Sequence, residues 1–191
     1  QGTFLESAPR VPVSARTGQG IPGLITALQE AAARVAERSF EGPLLLPVDR
    51  AFTLKGFGTV VTGTLVSGSI ATGDSVDLVP SGAGALRVRG LQVHGAAVES
   101  ALAGQRTAVN LAGVEAQDVP RGAALAEAGR LPGTPMLDVE LTLLPGVPAA
   151  LRHRARLLLH VGTDQVPALV ALLDRDELAA GDTAPAQLRL A

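Results

Sequence analysis

The stretch LLLPVDRAFTLKGFGTVVTGTLVSG, Leu44 to Gly68, joins an apolar, β-forming run to a glycine-rich KGFG and then to a second β-branched run. A phosphate-binding loop needs a strand, a glycine-rich turn and Lys-Ser/Thr at a helix start, because the helix's free amides hold the phosphates. Here Lys55 precedes the glycines, and TVVTGTLV follows with no helix signal. GFGTVVTG does not match dinucleotide-binding spacing either. Gly56, Gly58 and Gly63 therefore read as bends and close strand contacts between two strands. The pair Asp49-Arg50 interrupts the first of these strands and needs a reason of its own.

Working outward, the hydrophobic period changes after Glu41–Pro43. From there to about Ala128 come short β-like runs separated by SGS, TGD, PSGAG, HGAA and PRG. In ALRVRGLQVHG, Leu86 and Val88 share one parity and Leu91 and Val93 the other, so a bulge is expected near Gly90. RTAVNL sets Val109 and Leu111 on one face and Arg106, Ala108 and Asn110 on the other. Many short strands at this spacing predict a small closed β-barrel. Ala126–Pro135 reads as a linker. Beyond it, MLDVELTLL alternates cleanly, and further strands are expected near Leu157–His160, Val166–Leu173 and Gln187–Leu190. These are too few strands to close a second barrel.

Upstream of Glu41, RVPVSA (Arg10–Ala15) reads as a short buried strand ending in the loop RTGQG. Pro22 suits a first helical turn, and Leu24, Ile25, Leu28, Ala32 and Val35 recur at helical spacing. One strand and one helix do not make a domain, so the segment reads as the tail of a larger α/β domain. The expected organisation is 1–40, a domain remnant; 41–130, a barrel; and 131–191, an incomplete barrel.

Composition narrows the function classes. The net charge is −2, which argues against a generally basic nucleic-acid binder. With no cysteine, disulfides, thiolate metal sites and a cysteine nucleophile are excluded, and a cytoplasmic location is expected. The three histidines, His94, His153 and His160, have no metal-motif spacing. Trp and Tyr are absent, which disfavours base stacking on aromatic platforms. No run approaches the roughly 20 apolar residues that span a bilayer, so no membrane partner is expected.

The order of motifs resembles the translational GTPases of the elongation factor Tu superfamily, and among them the selenocysteine-specific elongation factors, the SelB branch. VSARTGQGI resembles the last guanine-binding motif of their GTPase domain. VDRAFTLKGFGTVVTGTLVSGSIATGDSV and RVRGLQVHGAAVESALAGQRTAVNLAGV resemble the second domain. LLLHVGTDQVPALVALLDRDELAAGDTAPAQLRLA resembles most of the third. The resemblance implies a mainly β fold, two consecutive barrels of the domain 2 and domain 3 type behind a strand-helix remnant of the GTPase domain. It implies a GTP-dependent carrier that brings selenocysteinyl-tRNA to the ribosome, with further C-terminal domains reading an mRNA hairpin. GTP and magnesium would serve that carrier. The P-loop and switch regions of such GTPases have no counterpart in this sequence, so the chain itself is expected not to hydrolyse GTP. Ser14 and Ala15 would present backbone amides to guanine.

By the same resemblance, the residues that sense selenocysteine map onto Asp49, Arg50 and Arg106. A selenol ionises near neutral pH, whereas serine's hydroxyl does not, so a selenolate between guanidiniums gains an attraction that serine lacks. At an effective dielectric near 20, charges ~4 Å apart attract by about 4 kcal/mol, and half of that is more than tenfold in affinity. Arginine suits the task because it stays charged and its fork is planar. From the residues alone, Asp49-Arg50 also reads as a solvated pair worth under ~1 kcal/mol. Neighbours on a regular strand point to opposite faces, so a shared pocket requires irregular backbone, for which Pro47 is a signal.

His94 lines the same pocket or is a surface turn residue. Arg152, Arg154 and Arg156 form a basic stripe on one strand face, placed for tRNA phosphates or simply solvated. The alternatives to a selenocysteine carrier are another translational GTPase and a non-translational β-barrel binding module. No constellation suits an enzyme working within this chain. An unfinished barrel leaves an open strand edge, for which a dimer is the expected remedy.

Overall fold

A computed structural model describes residues 6–35, 41–80 and 84–191, which fall into two compact units, Gln1–Arg38 and Ser39–Ala191. In the first unit the helix α1 spans Ile21–Ala33, with Pro22 in its first turn and Gly20 at its N-cap. Gly20 has φ 79°, and a Cβ there would lie 2.2 Å from the Pro12 carbonyl oxygen. Only glycine serves that position. The strand expected over Arg10–Ala15 is not formed: the segment is irregular, Val13 is exposed, and no described strand pairs with it. A strand needs a ladder partner for its backbone, and none is supplied. None of the helix residues is buried, Leu28 being 60% exposed.

The second unit begins with the barrel. Its strands are β1 (Leu45–Leu54), β2 (Gly58–Thr64), β3 (Ser69–Ala71), β4 (Ser75–Val79), β5 (Leu86–Val93), β6 (Ala96–Val98), β7 (Ser100–Leu102), β8 (Arg106–Ala112) and β9 (Ala124–Glu127). The ladder runs β4-β9-β1-β2-β8-β5 and returns through β4–β5, which closes six strands on themselves. β6 extends β5, and β3 pairs with β7. Closure leaves no free edge around the ring. The interior is filled by Leu46, Val48, Val61, Leu65, Ile70, Val76, Leu78, Val88, Val109, Leu111 and Leu125, all nearly or fully buried. The glycine assignments hold: Gly56 and Gly58 turn at φ 84° and 86°, and a Cβ on Gly63 would meet the Pro47 carbonyl at 2.2 Å.

Strand β9 takes in Ala126 and Glu127, the start of the expected linker, and beyond Pro135 come β10 (Met136–Thr142), β11 (Leu151–Arg152), β12 (Arg156–Val161), β13 (Asp164–Leu172), β14 (Glu177–Leu178) and β15 (Thr183–Leu190). They form an antiparallel sheet β10-β15-β13-β12 and a ribbon β11-β14. Val170, Leu172, Leu178, Ala186 and Leu188 make a small second core, flanked by half-buried Leu137, Val139 and Leu141. No pairing closes this sheet among the described residues, and its edge strand β12 carries the exposed Leu157, Leu158 and Val161.

Candidate site on the outer face of the barrel

Two bulges shape the site. β1 pairs with β2 as Val48↔Gly63 and then Arg50↔Thr62, so Asp49 is an extra residue against one partner step. β5 slips in the same way against β8, between Val88 and Gly90. A bulge bends the strand and re-aims its side chains. Before the bulge, Leu46 and Val48 point inward and are buried. After it the phase inverts, so that Ala51 packs on the core while Arg50, Phe52 and Leu54 face out. On β5 the expected slip is found at Arg89, which keeps Leu91 and Val93 inside and turns Gly90 and Gln92 outward.

The bulge resolves the geometric requirement on Asp49 and Arg50. Arg50 lies opposite Thr62, and directly opposed residues share a face. Asp49 is on that face too, because its carboxylate accepts a hydrogen bond from Thr62 Oγ1 at 2.6 Å. Arg106, at the start of β8 beside Thr64, completes the group. Its guanidinium grips Asp49 with both terminal nitrogens, Nη1 to Oδ2 and Nη2 to Oδ1, the latter at 3.2 Å. The Asp49 carboxyl is held below its ordinary range, chiefly by the Arg106 hydrogen bond, with help from Thr62 and the nearby Arg50 charge and against the opposing effect of burial. One carboxylate and two guanidiniums leave this three-residue group with a net charge of one positive.

The other predicted residues are placed less tightly. His94 and Gly95 form the two-residue turn between β5 and β6, both at positive φ, 53° and 80°. His94 is exposed and makes no hydrogen bond to the Asp49 group among the described residues. Its strand end, Val93, pairs with Thr107 next to Arg106. The basic stripe is corrected. Arg152 ends β11 and is ion-paired to Glu177, Arg154 sits in a turn at φ 65°, and only Arg156 opens β12. The turn breaks the alternation on which the shared face depended: Arg154 N–H donates to Val170 O and Ala155 N–H to Arg152 O. In the first unit, Ser14 closes its loop on itself, receiving the Thr17 amide on Oγ and the Gly18 amide on its carbonyl. The amides of Ser14, Thr17 and Gly18 are thus already engaged.

Lys55 lies in a strand hairpin, not at a helix start, and no group of three or more His, Asp or Glu among the described residues is arranged to hold a metal ion. Among the described residues no helix is long and apolar enough to cross a membrane.

Sequence reasoning missed the other end of the same face. Phe52, Leu54, Phe57, Val60, Ala108 and Asn110 line a mostly apolar cavity of about 320 Å³. Phe57 is 59% exposed and Phe52 41%, large apolar surface for so aromatic-poor a chain. Asn110 Oδ1 is buried there with no hydrogen-bond partner among the described residues. A buried acceptor without a donor is costly unless something brings one. The strand register places the pairs Val60↔Asn110 and Thr62↔Ala108 side by side, so the cavity and the charged group are neighbours on one surface.

Comparison with known proteins bears on the fold and the family. Residues 58–126 match the model of elongation factor Tu domain 2. The chain is 47% identical over 188 residues to a selenocysteine-specific elongation factor of Desulfomicrobium baculatum, covering 98% of this chain and 30% of that protein. It is 34% identical over 136 residues to the mouse selenocysteine-specific elongation factor, covering 66% of this chain and 23% of that one. The crystal structure of a bacterial selenocysteine-specific elongation factor superposes with a TM-score of 0.77 at 30% identity, over 93% of this chain and 28% of that one. The chain thus spans about a third or less of the length of these relatives.

Proposed function

The chain belongs to the selenocysteine-specific elongation factors of the elongation factor Tu superfamily, and we propose that it is the part of a GTP-dependent carrier that receives the aminoacyl end of selenocysteinyl-tRNA for delivery to the ribosome. The observation that carries this reading is the Asp49–Arg106 pair with Arg50 beside it on the outer face of the barrel. The Asp49 carboxylate fixes the Arg106 fork and cancels one charge. The remaining positive charge meets the selenolate, while serine, which stays neutral, gains nothing from it. His94 closes the rim. The adjoining apolar cavity takes the flat terminal base, with a donor on that base satisfying Asn110 Oδ1.

This reading divides the chain into a GTPase-domain remnant at 1–40, the aminoacyl-binding barrel at 41–130 and a third-domain sheet at 131–191. Ser14 and Ala15 would form the rim of a guanine site completed by other parts of the carrier, which would also bring GTP and magnesium. Contacts to tRNA phosphates fall to Arg154 and Arg156, since Arg152 is taken by Glu177. The mRNA hairpin would be read by further domains of the carrier. By itself, this chain would dimerise through the open edge at β12.

The test uses the complete carrier with a non-hydrolysable GTP analogue. Its affinity for one tRNA charged with selenocysteine or with serine is compared in wild type and in Arg50→Ala/Arg106→Ala. A preference of tenfold or more that collapses in the double variant is expected. Equal affinity for both charged tRNAs in the wild type would end the proposal.

A further inference from the structure

We propose that Thr163, at the turn between β12 and β13 of the second sheet, is a positioning residue for the Asp49 bulge on the first barrel. What the site selects rests on the function proposed above; what Thr163 holds rests on geometry.

The ladder between β1 and β9 ends at Pro47↔Ala124. One residue on, the Val48 amide still reaches Ala123 O at 2.8 Å. The Val48 carbonyl has passed the end of that ladder, and it receives the Thr163 hydroxyl at 2.7 Å. Val48 is the last residue in register with β2 before the bulge. Its carbonyl and the Asp49 amide belong to one rigid peptide plane. Holding the carbonyl therefore sets the direction in which the chain enters Asp49. That direction matters, because the Asp49 carboxylate must meet Thr62 and both Arg106 nitrogens at once.

The turn is docked closely enough for the hydroxyl to be held in place. Gly162 has φ 57°, and a Cβ there would lie 3.2 Å from Pro47 Cβ. On the other flank, Gly122 has φ 84°, and a Cβ would fall 2.3 Å from the Asp164 carboxyl carbon. These contacts set the turn against β1 just before the bulge and against the turn that leads into β9. They are not directional, whereas the hydrogen bond is. The hydroxyl is thus the part of the interface that specifies an orientation. Selection by the first barrel then depends on the second sheet being docked.

Three variants test this: Thr163→Val, which keeps the shape without the hydroxyl, Thr163→Ser, which keeps the hydroxyl, and Thr163→Ala, which carries the same expectation should the valine variant not fold. In this chain, carbon-13 NMR follows the Asp49 carboxyl titration. In the complete carrier, the affinity ratio for selenocysteinyl- over seryl-tRNA is measured. Thr163→Val should move the Asp49 midpoint up toward an ordinary carboxylate and lower the ratio at least threefold, and Thr163→Ser should restore both. A movement of the Asp49 midpoint reversed by serine supports positioning even if the wild-type carrier shows no amino-acid preference, an outcome that would defeat only the functional reading. Loss of thermal stability in Thr163→Val, with the Asp49 midpoint and the ratio unchanged, would reduce Thr163 to a docking contact and overturn the proposal.

Discussion

Arg106 closes on Asp49 with both terminal guanidinium nitrogens across 57 residues of sequence, and β2 lies between the two strands that carry them. The pair is therefore a product of register. An irregular feature, the Asp49 bulge, and the regular start of β8 meet over Thr62.

The pair should contribute little to stability while fixing geometry. Its side chains are 32% and 55% exposed, so the Coulomb attraction is screened by water. A double-mutant cycle with Asp49→Asn and Arg106→Gln, followed by urea unfolding, should give a coupling under ~1 kcal/mol. A coupling of several kcal/mol would mean that the group acts as a structural clamp.

The acid response has a defined sign. The folded Asp49 carboxyl is held down, first by the Arg106 hydrogen bond, while the unfolded one titrates near about 3.9. The pair's stabilisation is fully present above that unfolded value and is lost as pH falls from it through the folded one. Arg106→Gln should shift the Asp49 midpoint upward and remove this part of the acid sensitivity. An unchanged midpoint in an NMR titration would contradict the assignment. The preference for selenocysteine should fade at a higher pH than this, as the selenolate takes up its proton while Asp49 remains charged.

Gly63→Ala should be severely destabilising. The added carbon would sit 2.2 Å from the Pro47 carbonyl and 2.5 Å from Leu46 Cδ2, both held by the barrel wall. Relief requires β1 and β2 to part, at a cost of about 2–3 kcal/mol, which thermal or urea unfolding would read directly. A neutral variant would show that the wall is softer than its close packing implies.

Asn110→Ala separates stability from binding. It removes a buried acceptor with no partner among the described residues, so stability should change by under ~1 kcal/mol. Affinity for charged tRNA should fall several-fold and by the same factor for selenocysteine and serine if, as proposed above, the cavity takes the terminal base. A selective loss for one of them would move the cavity into the amino-acid pocket.

Much of this was legible in the sequence because strand parity is a local signal. The switch from Leu86/Val88 to Leu91/Val93 marked the bulge near Gly90, and Pro47 marked irregularity before Asp49. Thr62 and Thr163 could not be found that way. A threonine in a β-branched run looks like any other, and only the long-range register shows what its hydroxyl reaches. Phe52 and Leu54 were hidden for a related reason: apolar residues on a strand read as core until the bulge is known to turn them outward. The Arg152, Arg154 and Arg156 alternation misled because an arginine at positive φ looks no different in sequence from one in a strand. The helix stripe holds in spacing from Leu24 to Ala32, Val35 falls past the end of α1, and burial of the stripe depends on neighbours that periodicity does not identify.

The inverted phase after Asp49 also limits how this surface can change over generations. Substitutions along β1 alter one side chain at a time. A deletion of one residue at the bulge would instead restore a regular ladder from Val48↔Gly63 to Arg50↔Thr62, leaving Phe52 and Leu54 outside but removing the local bend that brings a carboxylate to Arg106. Lineages can therefore retune the face by replacement, but strand length here should be frozen. A gap or insertion at this point in any descendant would mark a surface on which Asp49 no longer reaches Arg106.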